Sequence, residues 1–217
     1  MQLMRLNSFW FDNPLIRLVL VSCFVVGMQG CASVPKTKPD SAVTQQQYQL
    51  HQASLKTIEQ FTLTGRIGVQ TNGKGFSGGL NWQHNEAEDA IALYSPLGGQ
   101  VARILKTANQ VTLEDAKGNT ISAADTETLT QNALGWQLPL AGLADWSLGR
   151  PTNSPIMAST WNEQGYLSTL KQDGWEIEYQ NYTQQNGFTL PSKITLRSDK
   201  VNLKLLVESW ENLTPSL

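Results

Sequence analysis

The chain has 217 residues, of which 16 are Lys or Arg and 18 are Asp or Glu, for a formal net charge of −2. That balance supplies no clustered basic face for neutralising phosphates, which excludes nucleic-acid binding as a main role. Two cysteines and two histidines leave little material for a disulfide framework, a His-based metal centre or a Ser-His-Asp triad.

At the N-terminus Arg5 and Arg17 precede an apolar run, Leu18 to Val26, and then Met28-Gln29-Gly30-Cys31. A run of about nine apolar residues is too short to span a bilayer as a helix, and with basic flanks it reads as a secretory signal. The tetrapeptide has the form of a lipoprotein processing site. It predicts a signal peptide over residues 1–30 and a mature chain that begins at a lipidated Cys31. The alternative is an ordinary secretory signal with a chance cysteine. Each buried methylene contributes about 0.8 kcal/mol, so several acyl chains on one cysteine hold a protein on a membrane where one would not. Ala32 follows Cys31, where an Asp would mark inner-membrane retention in lipoprotein sorting of the enteric type; this fits export to the outer membrane. Removing the two arginines and the one aspartate of residues 1–30 leaves 14 basic and 17 acidic side chains. With Cys23 gone and Cys31 acylated, no disulfide can form within the mature chain, so stability rests on packing.

Residues 31–43, rich in Pro, Lys, Ser and Thr, suit a solvated tether. A single folded domain is expected over 44–217. Thr44 fits a capping box, and Tyr48, His51, Leu55 and Ile58 then share one helical face. From Phe61 the period becomes two: Phe61, Leu63, Ile67 and Val69 alternate with Thr62, Thr64, Arg66 and Gln70. Asn72-Gly73 offers the positive φ values of a hairpin turn, after which Phe76, Gly78, Leu80 and Trp82 alternate with polar or small residues. Further turns are expected at Asn85 to Glu88, Ser95 to Gly99, Lys117 to Asn119 and Asn186-Gly187. Asp125 to Leu134 reads as a short helix closed by Gly135. Pro139 to Leu148 reads as another, closed by Gly149 and apolar on most sides, so that it must be covered on most sides. Strands resume with Trp175, Ile177 and Tyr179, then Ile194 and Leu196, then Val201, Leu203, Leu205 and Val207. The expected fold is mainly β, an antiparallel barrel or half-barrel with a few helices against its mouth.

Signs of catalysis are weak. His51 and His84 read as structural or solvated, and Glu86, Glu88 and Asp89 as a solvated charge cluster around a turn. Gly73, Gly75, Gly78 and Gly79 do not open a helix after a strand, so no phosphate loop is indicated. The chain is expected to be neither an enzyme nor a metalloprotein. The mature-chain tryptophans Trp82, Trp136, Trp146, Trp161, Trp175 and Trp210 either fill a core or line a greasy pocket. At the centre of the turn Tyr94-Ser95-Pro96-Leu97-Gly98-Gly99, Leu97 taken alone is expected to fold back onto the body; the other reading is an apolar tip held out for a membrane or partner.

These residues together resemble the LolB family of outer-membrane lipoprotein receptors. The resemblance rests on Cys31, Leu63-Thr64-Gly65-Arg66-Ile67, the Trp82 strand, Ser95-Pro96-Leu97-Gly98, Val111 to Gly118, Pro139 to Gly149 with Asp145-Trp146, Pro191 and Trp210. It implies an open antiparallel β-barrel with helices in and over its mouth, enclosing a cavity for acyl chains. Candidate cavity residues are Phe61, Leu63, Ile67, Leu80, Trp82, Leu140, Leu143 and Trp146. It also implies that the protein accepts client lipoproteins from the periplasmic carrier LolA and inserts them into the inner leaflet of the outer membrane, as a monomer. No cofactor is then needed beyond the lipid on Cys31, and the clients' acyl chains are the ligand. Leu97, supported by Pro96 and Gly98, becomes a membrane-inserting tip, the reverse of the reading from the turn alone. The rival expectation is a structural outer-membrane lipoprotein whose filled barrel scaffolds an envelope complex; a lipid-modifying enzyme would need a catalytic constellation that is not found.

Overall fold

The computed structural model describes residues 41–215. The expected signal peptide, Cys31 and the tether up to Asp40 lie outside the described residues. Helix α1 (Ser41–Lys56) leads into the strands β1 (Ile58–Thr71), β2 (Gly75–His84), β3 (Glu88–Tyr94), β4 (Gln100–Thr107), β5 (Val111–Asp115) and β6 (Thr120–Ala123). Two short helices follow, α2 (Thr126–Leu134) and α3 (Leu140–Leu148). The chain then completes the sheet with β7 (Ile156–Trp161), β8 (Leu167–Gln172), β9 (Trp175–Gln185), β10 (Phe188–Arg197) and β11 (Val201–Pro215). The order is β6-β5-β4-β3-β2-β1-β11-β10-β9-β8-β7, antiparallel throughout, with β6 and β7 as the edges among the described residues. The expected open antiparallel sheet with a few helices is what forms.

Alternation sets the inner face. On β1, Phe61, Leu63, Ile67 and Val69 are buried, while Thr62, Thr64, Arg66 and Gln70 are half-buried or exposed. β1 lies between β2 and β11, so Leu63 stands opposite Trp82 on one side and Trp210 on the other. Ile67 likewise faces Gly78 and Leu205. Gly78 falls on this inner face in phase with Leu80 and Trp82, and a Cβ there would overlap the carbonyl oxygen of Tyr94 on β3.

Four local readings are corrected. α1 begins no later than Ser41, and Thr44 is a buried member of its packed stripe, followed by Tyr48, Gln52 and Leu55, instead of the capping residue. β1 begins at Ile58, so this residue caps the core as the first residue of a strand and does not extend the helical face. The β1–β2 hairpin forms, but neither Asn72 nor Gly73 has a positive φ. Its loop spans three residues, closed by Thr71 N–H to Lys74 O at 2.8 Å and by Lys74 N–H to Thr71 Oγ1 at 3.0 Å. The fourth is Pro139, which caps α3 from outside with φ −79° and ψ 60°, the helix itself starting at Leu140. The reading of Asn186-Gly187 holds, with φ of 49° and 86°, the values that a two-residue hairpin turn matched to strand twist requires.

The helices end as their sequences direct. Asp125 accepts from Thr128 N–H at 2.7 Å at the start of α2, and Gly135 and Gly149 close α2 and α3 in the left-handed conformation. Leu140, Leu143, Trp146 and Leu148 of α3 are all buried. Trp146 donates from Nε1 to Gln172 Oε1 of β8 at 3.0 Å. Arg150 then joins three elements: it bonds Asp145 Oδ1 at 2.6 Å, Leu55 O of α1 at 2.6 Å and Ile58 O of β1 at 2.9 Å.

Candidate functional site

Two features carry the functional question, the apolar interior and the Leu97 turn. All eight candidate cavity residues point inward: Leu63 and Trp82 are 0% exposed, Phe61, Ile67 and Leu140 1%, Leu143 and Trp146 2%, and Leu80 4%. Phe61 is the hub of their aromatic packing, edge-on to Trp82 with centroids 5.1 Å apart and to Trp210 at 5.2 Å. Fully burying one such side chain contributes about 1.5–3 kcal/mol, so this wall is cohesive. With 0–4% exposure these side chains are shielded from solvent, so an acyl chain that reaches them has to part the elements that cover them.

One member of that wall is held by charge. Of the expected solvated cluster only Glu86 and Glu88 are exposed; Asp89 is 4% exposed and does not belong to it. The alternation of β3 turns it inward at the sheet's end, where Trp82 Nε1–H donates to Oδ1 at 2.9 Å. His84 Nδ1 lies 2.6 Å from the same oxygen, and Lys106 Nζ donates to Oδ2 at 3.4 Å. Burial opposes the charge on Asp89, but the contacts with His84, Trp82 and Lys106 outweigh it and hold the carboxyl below its usual range. The spacing that could have revealed this is the cross-strand pairing of His84 with Asp89, which depends on the hairpin register.

His51 is structural, as expected. It contacts Thr189 O at 2.9 Å and packs on Tyr166 with centroids 4.6 Å apart. Burial pushes its pKa down against the opposing effect of the Thr189 carbonyl. Tyr182 donates to Leu167 O at 2.8 Å, and burial pushes the Tyr179 and Tyr182 phenols up, keeping both protonated. Among the described residues no three His, Cys, Asp or Glu side chains converge in a metal-binding group.

The Leu97 turn differs from the reading of that segment alone. Leu97 is 98% exposed, in place of folding back onto the body. The turn has no slack with which to bring it back: Ser95 N–H donates to Gly99 O at 2.7 Å, Gly98 N–H to Ser95 O at 2.9 Å, and Gly99 N–H to Ser95 Oγ at 3.2 Å. Gly98 has φ 88°, the left-handed value that closes the turn after Leu97. A rigid loop thus presents a bare leucine at the end of β3.

Comparison with known proteins gives the family of the chain. The family model described as "Outer membrane lipoprotein LolB" matches residues 59–210. The outer-membrane lipoprotein LolB of Pseudomonas fluorescens is 32% identical over 196 residues, 90% of this chain and 96% of that protein. That of Thiobacillus denitrificans is 33% identical over 196 residues, 90% and 98% of the two chains. Among solved structures, a LolA superfamily protein from Nitrosomonas europaea is similar at a TM-score of 0.48 and 8% identity, over 81% of this chain and 94% of that one. With its family model spanning the sheet from the start of β1 to Trp210, the chain belongs to the outer-membrane lipoprotein LolB family.

Proposed function

We propose that this protein is a lipid-anchored receptor at the periplasmic face of the outer membrane. It takes lipoproteins from the carrier LolA, holds their acyl chains among Phe61, Leu63, Ile67, Leu80, Trp82, Leu140, Leu143 and Trp146, and places them in the inner leaflet. The observation that carries the reading is Leu97, 98% exposed on a turn stiffened by three hydrogen bonds. A leucine in water contributes nothing to the fold, yet transfer into an apolar phase is favourable by about 1.5–3 kcal/mol. No nucleotide or metal is consumed. Direction follows if the receptor binds acyl chains more tightly than the carrier does, a tenfold advantage requiring only about 1.4 kcal/mol, with the bilayer as the final sink.

The shielding of these side chains from solvent favours a second reading, a scaffolding lipoprotein whose barrel is permanently filled. The two differ in whether the wall parts for a lipid. The deciding experiment separates delivery from acceptance, using purified full-length protein, carrier loaded with labelled lipoprotein, and vesicles. Leu97→Glu folds normally and still takes label from the carrier, but delivers little to the vesicles, because a carboxylate resists entry into the headgroup region. Normal delivery by Leu97→Glu rejects the membrane-tip role, and failed acceptance moves Leu97 to the carrier interface. Absence of acceptance by the parent protein favours the scaffold.

A further inference from the structure

Of the seven large apolar side chains exposed among the described residues, four lie at one end of the sheet, whereas Val43 and Leu50 lie on α1 and Leu206 on β11. Strands β1, β3, β5, β8 and β10 run in one sense through the antiparallel sheet, so the turn after β3, which carries Leu97, lies at the end where β6 and β7 begin. That end also bears Ile121 at 42% exposure, Ile156 at 46% and Met157 at 79%. Helix α1 packs at the opposite end, where Tyr48 stacks on Trp161 with centroids 4.6 Å apart and His51 meets Thr189.

β7 is unusual for an edge strand. Its sequence, Ile156-Met157-Ala158-Ser159-Thr160-Trp161, has no charge and no proline, the residues that ordinarily protect an edge from unwanted pairing. Alternation fails at its start: Ile156 pairs with Gln172 and Ala158 with Lys171, which leaves Met157 as an extra residue in a bulge, and all three side chains are exposed. A bulge at a sheet edge re-aims a side chain, and here it turns a large apolar one into solvent. Beside it is a groove of about 320 Å³ lined by Met157, the half-buried Trp175, Lys171, Glu176, Arg197 and Asp199, among others. Of the charged residues on its border, Lys171 is paired with Glu176 at 3.4 Å and Arg197 with Glu178 at 3.2 Å.

We propose that the Ile156–Met157 bulge and the Trp175 groove form a second bilayer-contact site, which seats this end of the sheet on the membrane together with Leu97. The occupant is the phospholipid interface itself, for two reasons. The site shares its end with the Leu97 tip, and a half-buried tryptophan beside bare aliphatic residues, bordered by cations already paired with carboxylates, suits the boundary between headgroups and acyl chains. Two contacts define an orientation where one defines only a pivot. They also bring the edge of β7 down to the lipid. The inference rests on the placement of Leu97 in the bilayer given above.

The test places an environment-sensitive fluorophore on single-cysteine replacements of the full chain, Leu97→Cys, Met157→Cys and, at the opposite end, Ala87→Cys. Each is reconstituted in phosphatidylcholine vesicles with nitroxide-labelled lipids, and the labelled parent chain corrects for native thiols. Quenching at positions 97 and 157 but not at 87, in zwitterionic vesicles and unchanged by added salt, is expected. Quenching at 97 with none at 157 overturns the second site and leaves Leu97 standing. Quenching at 157 alone removes Leu97 and keeps the edge, and quenching at neither overturns both. A signal at 157 that grows with protein concentration without vesicles assigns the edge to strand pairing between copies and overturns the proposal. In the Cys31→Ala background, which removes the lipid anchor, Met157→Glu should weaken vesicle binding about tenfold, whereas Met157→Leu should not; equal binding by the two contradicts an apolar contact. Because Met157 is 79% exposed, neither change disturbs folding.

Discussion

Replacing Asp89 by alanine tests whether the charged clamp holds the interior wall. The Trp82 indole is 0% exposed, so loss of its acceptor strands a buried donor, which costs about 1–3 kcal/mol. The other two partners are less enclosed, the His84 side chain at 19% and that of Lys106 at 36% exposure, and solvent screening limits each to below about 1 kcal/mol. The sum is about 1–5 kcal/mol. With a urea dependence of about 2 kcal/mol per molar, the unfolding midpoint of Asp89→Ala should fall by about 0.5–2.5 M. Asp89→Asn keeps an oxygen for Trp82 and should recover the larger part. The effect of pH has a definite sign: the folded carboxyl titrates below its unfolded value of about 3.9, so its contribution is complete above that value and is lost as pH falls through the lowered one. The gap between parent and Asp89→Ala should therefore be full near pH 6 and shrink below about pH 4. A variant within about 0.5 kcal/mol of the parent, or a gap that widens in acid, refutes the clamp.

Two further changes test neighbouring parts of the account. Gly78→Ala would drive a Cβ against the Tyr94 carbonyl and should cost about 2 kcal/mol or more through overpacking, read as a lower urea midpoint; an unchanged midpoint would show that β2 and β3 can separate there. Cys31→Ala behind an ordinary cleavable signal should give a soluble periplasmic protein that still accepts lipoprotein, and recovery in the outer-membrane fraction without fatty-acid label would contradict the anchor role.

What the sequence revealed follows from how local each signal is. The inner faces of β1, β2, β9 and β11 were legible because a period of two survives wherever one face is buried. So were α2 and α3, marked by Asp125, Gly135 and Gly149. The β8–β9 turn at Asp173-Gly174, with φ of 52° and 78°, carries the same signal as Asn186-Gly187 and was available to be read. Non-local features were not. The pairing of β1 with β11 joins segments more than a hundred residues apart, and no spacing announces it. Asp89 looks like any acid beside a turn until the hairpin register brings His84 opposite it. Leu97 was misjudged from its own turn because apolar residues usually fold back; only the resemblance pointed the other way. The bulge at Met157 is a departure from alternation, and pattern reading passes over such departures.

The central claim is that the interior parts to take a client's acyl chains. It is tested most directly by placing photocrosslinkers at Leu80 and Trp82, 4% and 0% exposed, and at Asn81 and Gln83 on the opposite face of the same strand, then adding carrier loaded with lipoprotein acylated by labelled fatty acid. The account predicts that the label leaves the carrier and crosslinks at Leu80 or Trp82 but not at Asn81 or Gln83. Label that stays on the carrier, or that reaches this protein and crosslinks both faces alike, would contradict it.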